Sequence, residues 1–298
     1  MMPEPTVLEL PDGRSLDLYV DGPSDGVPLI SHHGTPGAGL PFGPFVRAAA
    51  ERGMRWVSYS RPGYASSTRR VGRTVADCVA DVVAILDHLG ADRCYTTGGS
   101  GGGPHALACA ALVPDRVLSC AAIAAVAPRH ATGLDWTGGM GPENIAEFNA
   151  AEAGVDALEH YLEGEAPGLR EATSAQELID TMSGLLPAVD RDALSGAFAD
   201  VTIESMQRSV RNGIWGWFDD DLAFLTDWGF ALDAIEAPVA IWQGRHDQMV
   251  PFAHGEWLAE HTAGARRHLL DDHGHLSIAV SSFDRVLDDM LEMEKERA

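Results

Sequence analysis

The chain has 298 residues, enough for one large α/β domain with an insertion or for two domains, and a hydrophobic content of 45% supports a sizeable core. A net charge of -23 without Lys/Arg clusters excludes nucleic acid and anionic membrane surfaces as partners. No stretch reaches the roughly 18 to 20 apolar residues that span a bilayer. The start, Met1-Met2-Pro3-Glu4-Pro5, lacks the basic-then-apolar order of a signal peptide. The four cysteines (Cys78, Cys94, Cys109, Cys120) show no metal spacing and no secreted disulfide pattern. The expectation is a cytoplasmic protein with buried free thiols, acting on a small-molecule substrate without a cofactor.

Val7–Leu10 and Ser15–Val20 read as strands around the turn Pro11-Asp12-Gly13. Val27–His33 is an apolar run ending in His32-His33-Gly34-Thr35-Pro36-Gly37, and Trp56–Ser60 is a strand before Arg61-Pro62-Gly63-Tyr64. Thr74–Leu89 carries apolar residues at helical spacing (Val75, Val79, Val82, Val83, Leu86, Leu89). Strand 93–97 and a helical run from Pro104 to Leu112 flank a glycine-rich turn, and Val117–Ala127 reads as a buried strand. Val239–Gln243, His268–Leu270 and a helix over Ile278–Met293 complete the chain. Strands alternating with helices predict an α/β fold with a mostly parallel central sheet flanked by helices.

Between about Arg129 and Glu236 the pattern changes to helices without strands, with 21 acidic residues against five arginines. This stretch is expected to be a helical cap at 129–236 over a core formed by 1–128 and 237–298. Most of its carboxylates fit solvated helix faces. Its aromatics include Trp215, Trp217 and Phe218, which could shape a substrate pocket or pack within the cap's own core.

The most informative run is Thr97-Gly98-Gly99-Ser100-Gly101-Gly102-Gly103. A Gly-x-Ser-x-Gly motif between strand and helix is the setting of a nucleophile elbow. The serine takes a strained backbone at the apex, and residues two before and two after it must lack a Cβ so that strand and helix can approach. Phosphate-binding turns share the glycines, but no Gly-Lys-Ser/Thr follows, and Arg116-Val117-Leu118-Ser119-Cys120 has no acidic residue where dinucleotide binding wants one.

A serine nucleophile needs a base, and the base needs an orienting carboxylate. Asp247 lies in Gly244-Arg245-His246-Asp247-Gln248, directly after the strand-like Val239–Gln243. A rival acid after the strand ending near Ala127 would have to be Asp135, so Asp247 is preferred. His273 and His275 lie in Asp271-Asp272-His273-Gly274-His275-Leu276. His275 is preferred as base because it follows the small Gly274 and opens the final helix. Two backbone N–H groups should face the developing oxyanion. Gly101 follows the nucleophile, and Thr35 lies on the loop after the strand ending at His33, where Pro36 has no N–H. His32 and His33 could brace that loop. His105 and His254 read as structural or surface residues, and no spacing indicates a metal.

With these elements in place, the chain resembles the α/β-hydrolase superfamily over essentially its whole length, and within it the capped, single-domain bacterial members. The matching residues are His33-Gly34-Thr35-Pro36-Gly37, Tyr59-Ser60-Arg61-Pro62-Gly63-Tyr64-Ala65-Ser66-Ser67, the elbow, Gly244–Pro251 and Gly274-His275-Leu276. The resemblance implies Ser100, Asp247 and His275 as nucleophile, acid and base, with Thr35 and Gly101 as the oxyanion hole. Serine at the elbow separates the chain from dehalogenases and epoxide hydrolases, which use aspartate there. The resemblance to proline iminopeptidases is partial, because those typically have Gly in place of Thr35 and an aromatic in place of Gly101. The expected activity is hydrolysis of a small or medium carboxylic ester through an acyl-enzyme. An aminopeptidase that binds a substrate ammonium through the acidic cap is the alternative, and a non-catalytic ligand-binding protein on the same scaffold a third. C–C bond hydrolysis and perhydrolysis are open to the same site.

Overall fold

The structure, a computed structural model, describes residues 3–297. Its centre is an eight-stranded sheet: β1 (Thr6–Glu9), β2 (Ser15–Asp21), β3 (Val27–His32), β4 (Met54–Tyr59), β5 (Cys94–Gly99), β6 (Val117–Ile123), β7 (Val239–Gly244) and β8 (Arg266–Leu270), in the spatial order β1-β2-β4-β3-β5-β6-β7-β8. β2 runs antiparallel to β1 and β4, and all other neighbours are parallel. The sheet is thus the mostly parallel one expected from the alternation of strands and helices.

Each central strand buries both faces, as parallel strands covered on two sides must. Ile30, Val57, Ala122 and Ile241 face α2 (Cys78–Leu89), α3 (Gly103–Leu112) and α10 (Phe252–His261). Their sequence neighbours Leu29, Trp56, Ala121 and Ala240 face α1 (Gly43–Glu51) and α11 (His275–Arg297). β6 stops at Ile123, short of the strand expected to reach Ala127, because Ala124 takes φ +49° and turns the chain out of the ladder.

β3 pairs with β4 on one side and β5 on the other. The chain winds from β3 to β4 on one side and then crosses back from β4 to β5 on the other, so the winding reverses and a crevice opens at the carboxyl ends of β3 and β5. Over this edge lie six helices inserted between β6 and β7: α4 (Pro142–Ala153), α5 (Val155–Glu171), α6 (Ala175–Thr181), α7 (Ala188–Ala193), α8 (Gly196–Ser209) and α9 (Trp215–Leu225). They share an apolar centre that includes Leu158, Leu162, Leu178, Leu186, Leu194 and Val210. Tyr64 and Met249, from loops of the sheet domain, pack into the same cluster.

Candidate active site

Ser100 stands between β5 and α3 with φ +54°, a left-handed conformation that costs a non-glycine residue on the order of 1–3 kcal/mol. The glycines make the turn sterically feasible. A Cβ on Gly98 would overlap the Gly102 carbonyl, and one on Gly102 would overlap the His32 carbonyl of β3. Glycine at both positions lets strand and helix meet and aims Ser100 at the crevice.

Asp247 and His275 arrive from the loops after β7 and β8. His275 Nδ1 lies 2.8 Å from Asp247 Oδ2. The other carboxylate oxygen, Oδ1, accepts from the amides of Met249 (2.9 Å) and Val250 (2.8 Å), and Gln243 Nε2 donates to Oδ2 at 2.9 Å. Both residues are buried, Asp247 at 4% and His275 at 7% exposure. Burial works against a charged imidazole, yet the adjoining Asp247 carboxylate outweighs it and leaves His275 above its ordinary value. His273, the rival base, places its carbonyl against the His246 amide at 2.8 Å. Ser100 and His275 line one cavity without a direct hydrogen bond between them.

The loop after β3 lies beside the elbow. A Cβ on Gly101 would overlap the Thr35 hydroxyl, so Gly101 and Thr35 are in immediate contact. The Thr35 amide finds no acceptor among the described residues, and Gly101 lies in the first turn after the strand, where helical N–H groups lack internal partners.

Of the braces expected from the sequence, His33 holds this loop, but sequence reasoning missed its two main partners, Arg61 and Asp220. Arg61, fully buried at the end of β4, donates through one guanidinium nitrogen to the Gly34 carbonyl (3.0 Å) and Thr35 Oγ1 (3.0 Å), and through another to the His33 carbonyl. Its backbone N–H donates to His33 Nε2 at 3.0 Å, which leaves the proton on His33 Nδ1 to bond the Gly34 carbonyl at 2.7 Å. Burial holds His33 neutral, consistent with that tautomer. The partner of Arg61 comes from the insert. Asp220 on α9 accepts from Arg61 (2.6 Å), Tyr64 (2.8 Å) and Thr35 Oγ1 (2.6 Å) and forms an ion pair with Arg73 (2.6 Å). Burial opposes its ionisation, but Arg61 and Arg73 prevail and hold the carboxyl well below the usual range.

The run Asp219-Asp220-Asp221 departs from the solvated helix face expected for the insert's acids, since all three are buried. Asp219 pairs with Arg69 at 2.8 Å. Neither Asp221 oxygen meets an N–H or hydroxyl donor, and the carboxyl lies in hydrogen-bonding contact with that of Glu147. Burial, together with the charge of Glu147, pushes the Asp221 carboxyl well above its usual value, and burial does the same to Glu147. Both line a recess of about 50 Å³ that also touches Thr35, Ser100 and Gly101.

A cavity of about 340 Å³ is lined by Ser100, Thr35 and His275 and by aliphatic and aromatic side chains that include Leu40, Phe42, Leu185, Phe198 and Met206. Of the three aromatics singled out in the sequence, Trp217 lines it and donates from Nε1 to Glu147 at 2.6 Å. Trp215 and Phe218 lie outside the lining. They pack edge to face, 5.8 Å between centroids, with Arg69 stacked 4.1 Å over Trp215. His105 and His254 are buried and bonded to backbone at Gly101, Ala127 and Trp136. Among the described residues, no group of three or more His, Cys, Asp or Glu could hold a metal, and no helix is long and apolar enough to cross a membrane.

The sequence profile described as alpha/beta hydrolase fold matches residues 27–281. The hydrolase YcgS of Bacillus subtilis is 27% identical over 265 residues, 89% of each chain. A proline iminopeptidase of Neisseria meningitidis is 30% identical over 247 residues, 77% of each chain. The crystal structure of a bromoperoxidase from Bacillus anthracis superposes with a TM-score of 0.71 at 22% identity, covering 97% of this chain and 99% of that one. From sheet order, elbow and these relatives alike, the chain belongs to the α/β-hydrolase fold family and is a hydrolase.

Proposed function

We propose that the protein hydrolyses a carboxylic ester with a small or medium apolar acyl group, using Ser100, His275 and Asp247. The observation that carries this reading is the strained Ser100 lining a 340 Å³ apolar cavity that it shares with His275. His275 Nε2 takes the Ser100 proton as Oγ bonds to the ester carbonyl carbon. Asp247 keeps the proton of Nδ1 on its own side and favours the imidazolium that results. Negative charge on the former carbonyl oxygen is met by the amides of Thr35 and Gly101. The imidazolium returns its proton to the departing alkoxide, leaving the acyl-enzyme, and a water deprotonated by His275 then releases the acid and restores Ser100.

Treatment with a fluorophosphonate probe, read by intact mass, tests the assignment. Wild type takes up one label; Ser100→Ala takes up none, and His275→Ala labels far more slowly than His273→Ala. Equal labelling of wild type and Ser100→Ala would remove the reading.

One observation favours a second substrate class. Beside Ser100 the buried Glu147–Asp221 pair meets one donor from another residue, Trp217 Nε1, and an ammonium group on the substrate would supply further donors. In that case the scissile bond is the amide of an amino-terminal residue, in line with the proline iminopeptidase relative. Cleavage of a cationic aminoacyl arylamide faster than a neutral ester of equal size, reversed in Asp221→Asn, would establish it. Absence of amidase activity would eliminate it.

A further inference from the structure

α11 begins at His275, so the proposed base is the first residue of a helix. The amides of a helix's first turn have no internal acceptors and are ordinarily met by the side chain of the residue just before the helix. That residue here is Gly274, which has no side chain to offer. The acceptor comes instead from the insert, 85 residues earlier in the chain. Asp190 on α7 is fully buried, and its Oδ2 accepts from the His275 amide at 2.7 Å. Its Oδ1 accepts from the amides of Leu276 (3.0 Å) and Ser277 (2.8 Å). Both oxygens are thus used on the single turn that carries the base, and Asp190 forms no ion pair among the described residues. The fit is close, since a Cβ on Gly274 would overlap the Asp190 carboxylate.

We infer that Asp190 is a positioning residue for hydrolysis, a carboxylate supplied by the insert that fixes the backbone of His275 and so the place of its imidazole relative to Ser100. This inference rests on the assignment of His275 as base. His275 is then held at two points. Asp247 sets the ring's rotation and tautomer through Nδ1, and Asp190 sets the main chain from which the ring projects. The charged groups whose fields reach the imidazole are the same two, Asp247 and Asp190, both negative and both favouring the imidazolium. Asp190 therefore acts on geometry and on the proton affinity of the base together, which a purely structural cap would not do.

Asp190→Asn separates these roles from simple folding. Asparagine keeps the volume but has one acceptor oxygen, so either orientation sets its NH₂ against a backbone N–H at residue 275 or at residues 276 and 277. With p-nitrophenyl butyrate as probe, kcat is expected to fall about tenfold or more with KM changed less than about twofold, an energy of at least about 1.4 kcal/mol in the transition state alone. The acid limb of kcat/KM should move to lower pH, because a negative charge near His275 is gone. Gly274→Ala, whose Cβ displaces the same carboxylate, should lower kcat in the same way and serves as the measurement if Asp190→Asn does not fold. Unchanged kcat and an unmoved acid limb, with only the melting temperature reduced, would overturn the inference. His275→Ala in the same series tests the underlying assignment separately. If it labels with fluorophosphonate as fast as wild type, His275 is not the base, whereas a dead His275→Ala beside a fully active Asp190→Asn refutes the role of Asp190 alone.

Discussion

Asp220 on α9 and Arg61 at the end of β4 form an ion pair 2.6 Å long with both side chains out of contact with water. The pair joins the insert to the oxyanion loop, because Arg61 also holds the Gly34 carbonyl and the Thr35 hydroxyl, and Asp220 holds that hydroxyl as well. Breaking a buried pair by removing one partner leaves an uncompensated charge, which costs about 3–5 kcal/mol. Asp220→Ala strands both Arg61 and Arg73 and releases Thr35. Its urea midpoint should fall accordingly, and the surviving folded enzyme should show a lower kcat. Wild-type kcat in a folded Asp220→Ala would mean that the loop keeps its shape without the pair.

Asp247→Asn should lower kcat by roughly 10³- to 10⁴-fold while leaving the fold intact. The orientation of the new amide is dictated by its surroundings. The Met249 and Val250 amides require an acceptor on one side, so the asparagine oxygen goes there and its NH₂ faces His275. His275 Nδ1 must then accept, its proton moves to Nε2, and Nε2 can no longer take the proton of Ser100. Steady-state kinetics on an ester, beside a thermal melt within a few degrees of wild type, checks this. A loss under tenfold would mean that another carboxylate orients the base.

The pH dependence follows from the direction of the His275 shift. In the proposed mechanism His275 must be neutral to accept a proton, and the Asp247 carboxylate keeps it charged to a pH above the ordinary imidazole value despite burial. Activity should be low in acid and rise through a midpoint above about 6.5 as the ring loses its proton. The same shift makes this pair stabilise the fold in acid and contribute less as pH rises through the folded value. Profiles of kcat/KM from about pH 5 to 9 read the midpoint. A midpoint well below 6 in wild type would show that burial, not Asp247, governs the ring.

What could be read in the sequence and what could not divide along one physical line. The sheet and the elbow rest on local patterns: apolar runs of strand length, helical spacing over 74–89, and glycines two before and two after Ser100 where strand and helix collide. Asp247 and His275 were legible as residues at strand ends. The braces were not. Arg61 acts on carbonyls 27 and 28 residues away, Asp190 on amides 85 to 87 residues away and Asp220 on the Thr35 hydroxyl 185 residues away, the last two through contacts that the insert's docking creates. An aspartate in an acidic helical stretch has the same sequence signature whether it faces water or caps α11. One signal was available. Asp219-Asp220-Asp221 follows Trp217-Phe218 and precedes Leu222-Ala223-Phe224, and acids so enclosed by large apolar residues point inward on at least one side of a helix. The carboxyl end of β6 also escaped, because nothing in Ala124-Ala125 announces a positive φ.

Asp221 offers the last prediction, on stability. Its two oxygens are buried without an N–H or hydroxyl donor, and burial with the charge and hydrogen bond of the neighbouring Glu147 raises its carboxyl well above the ordinary range. The folded chain therefore holds a proton there at pH values where the unfolded chain has released it. Stability falls as pH rises from the unfolded carboxylate value, about 4, up through the raised folded value, and is fully retained only below the first. Asp221→Asn removes the titration and supplies an N–H to Glu147. It should melt at least about 2 °C above wild type at pH 8, with the gap closing toward pH 4. Should a cationic substrate be the true ligand, the same variant would be more stable and less active at once, because the buried carboxyl pair would be held for the substrate's ammonium at the expense of the fold. Melting curves at both pH values, read beside kcat/KM for a cationic and a neutral substrate, separate the outcomes. Greater stability with unchanged selectivity would mark the pair as a structural flaw of the insert, and greater stability with lost selectivity for the cation would mark it as the recognition element.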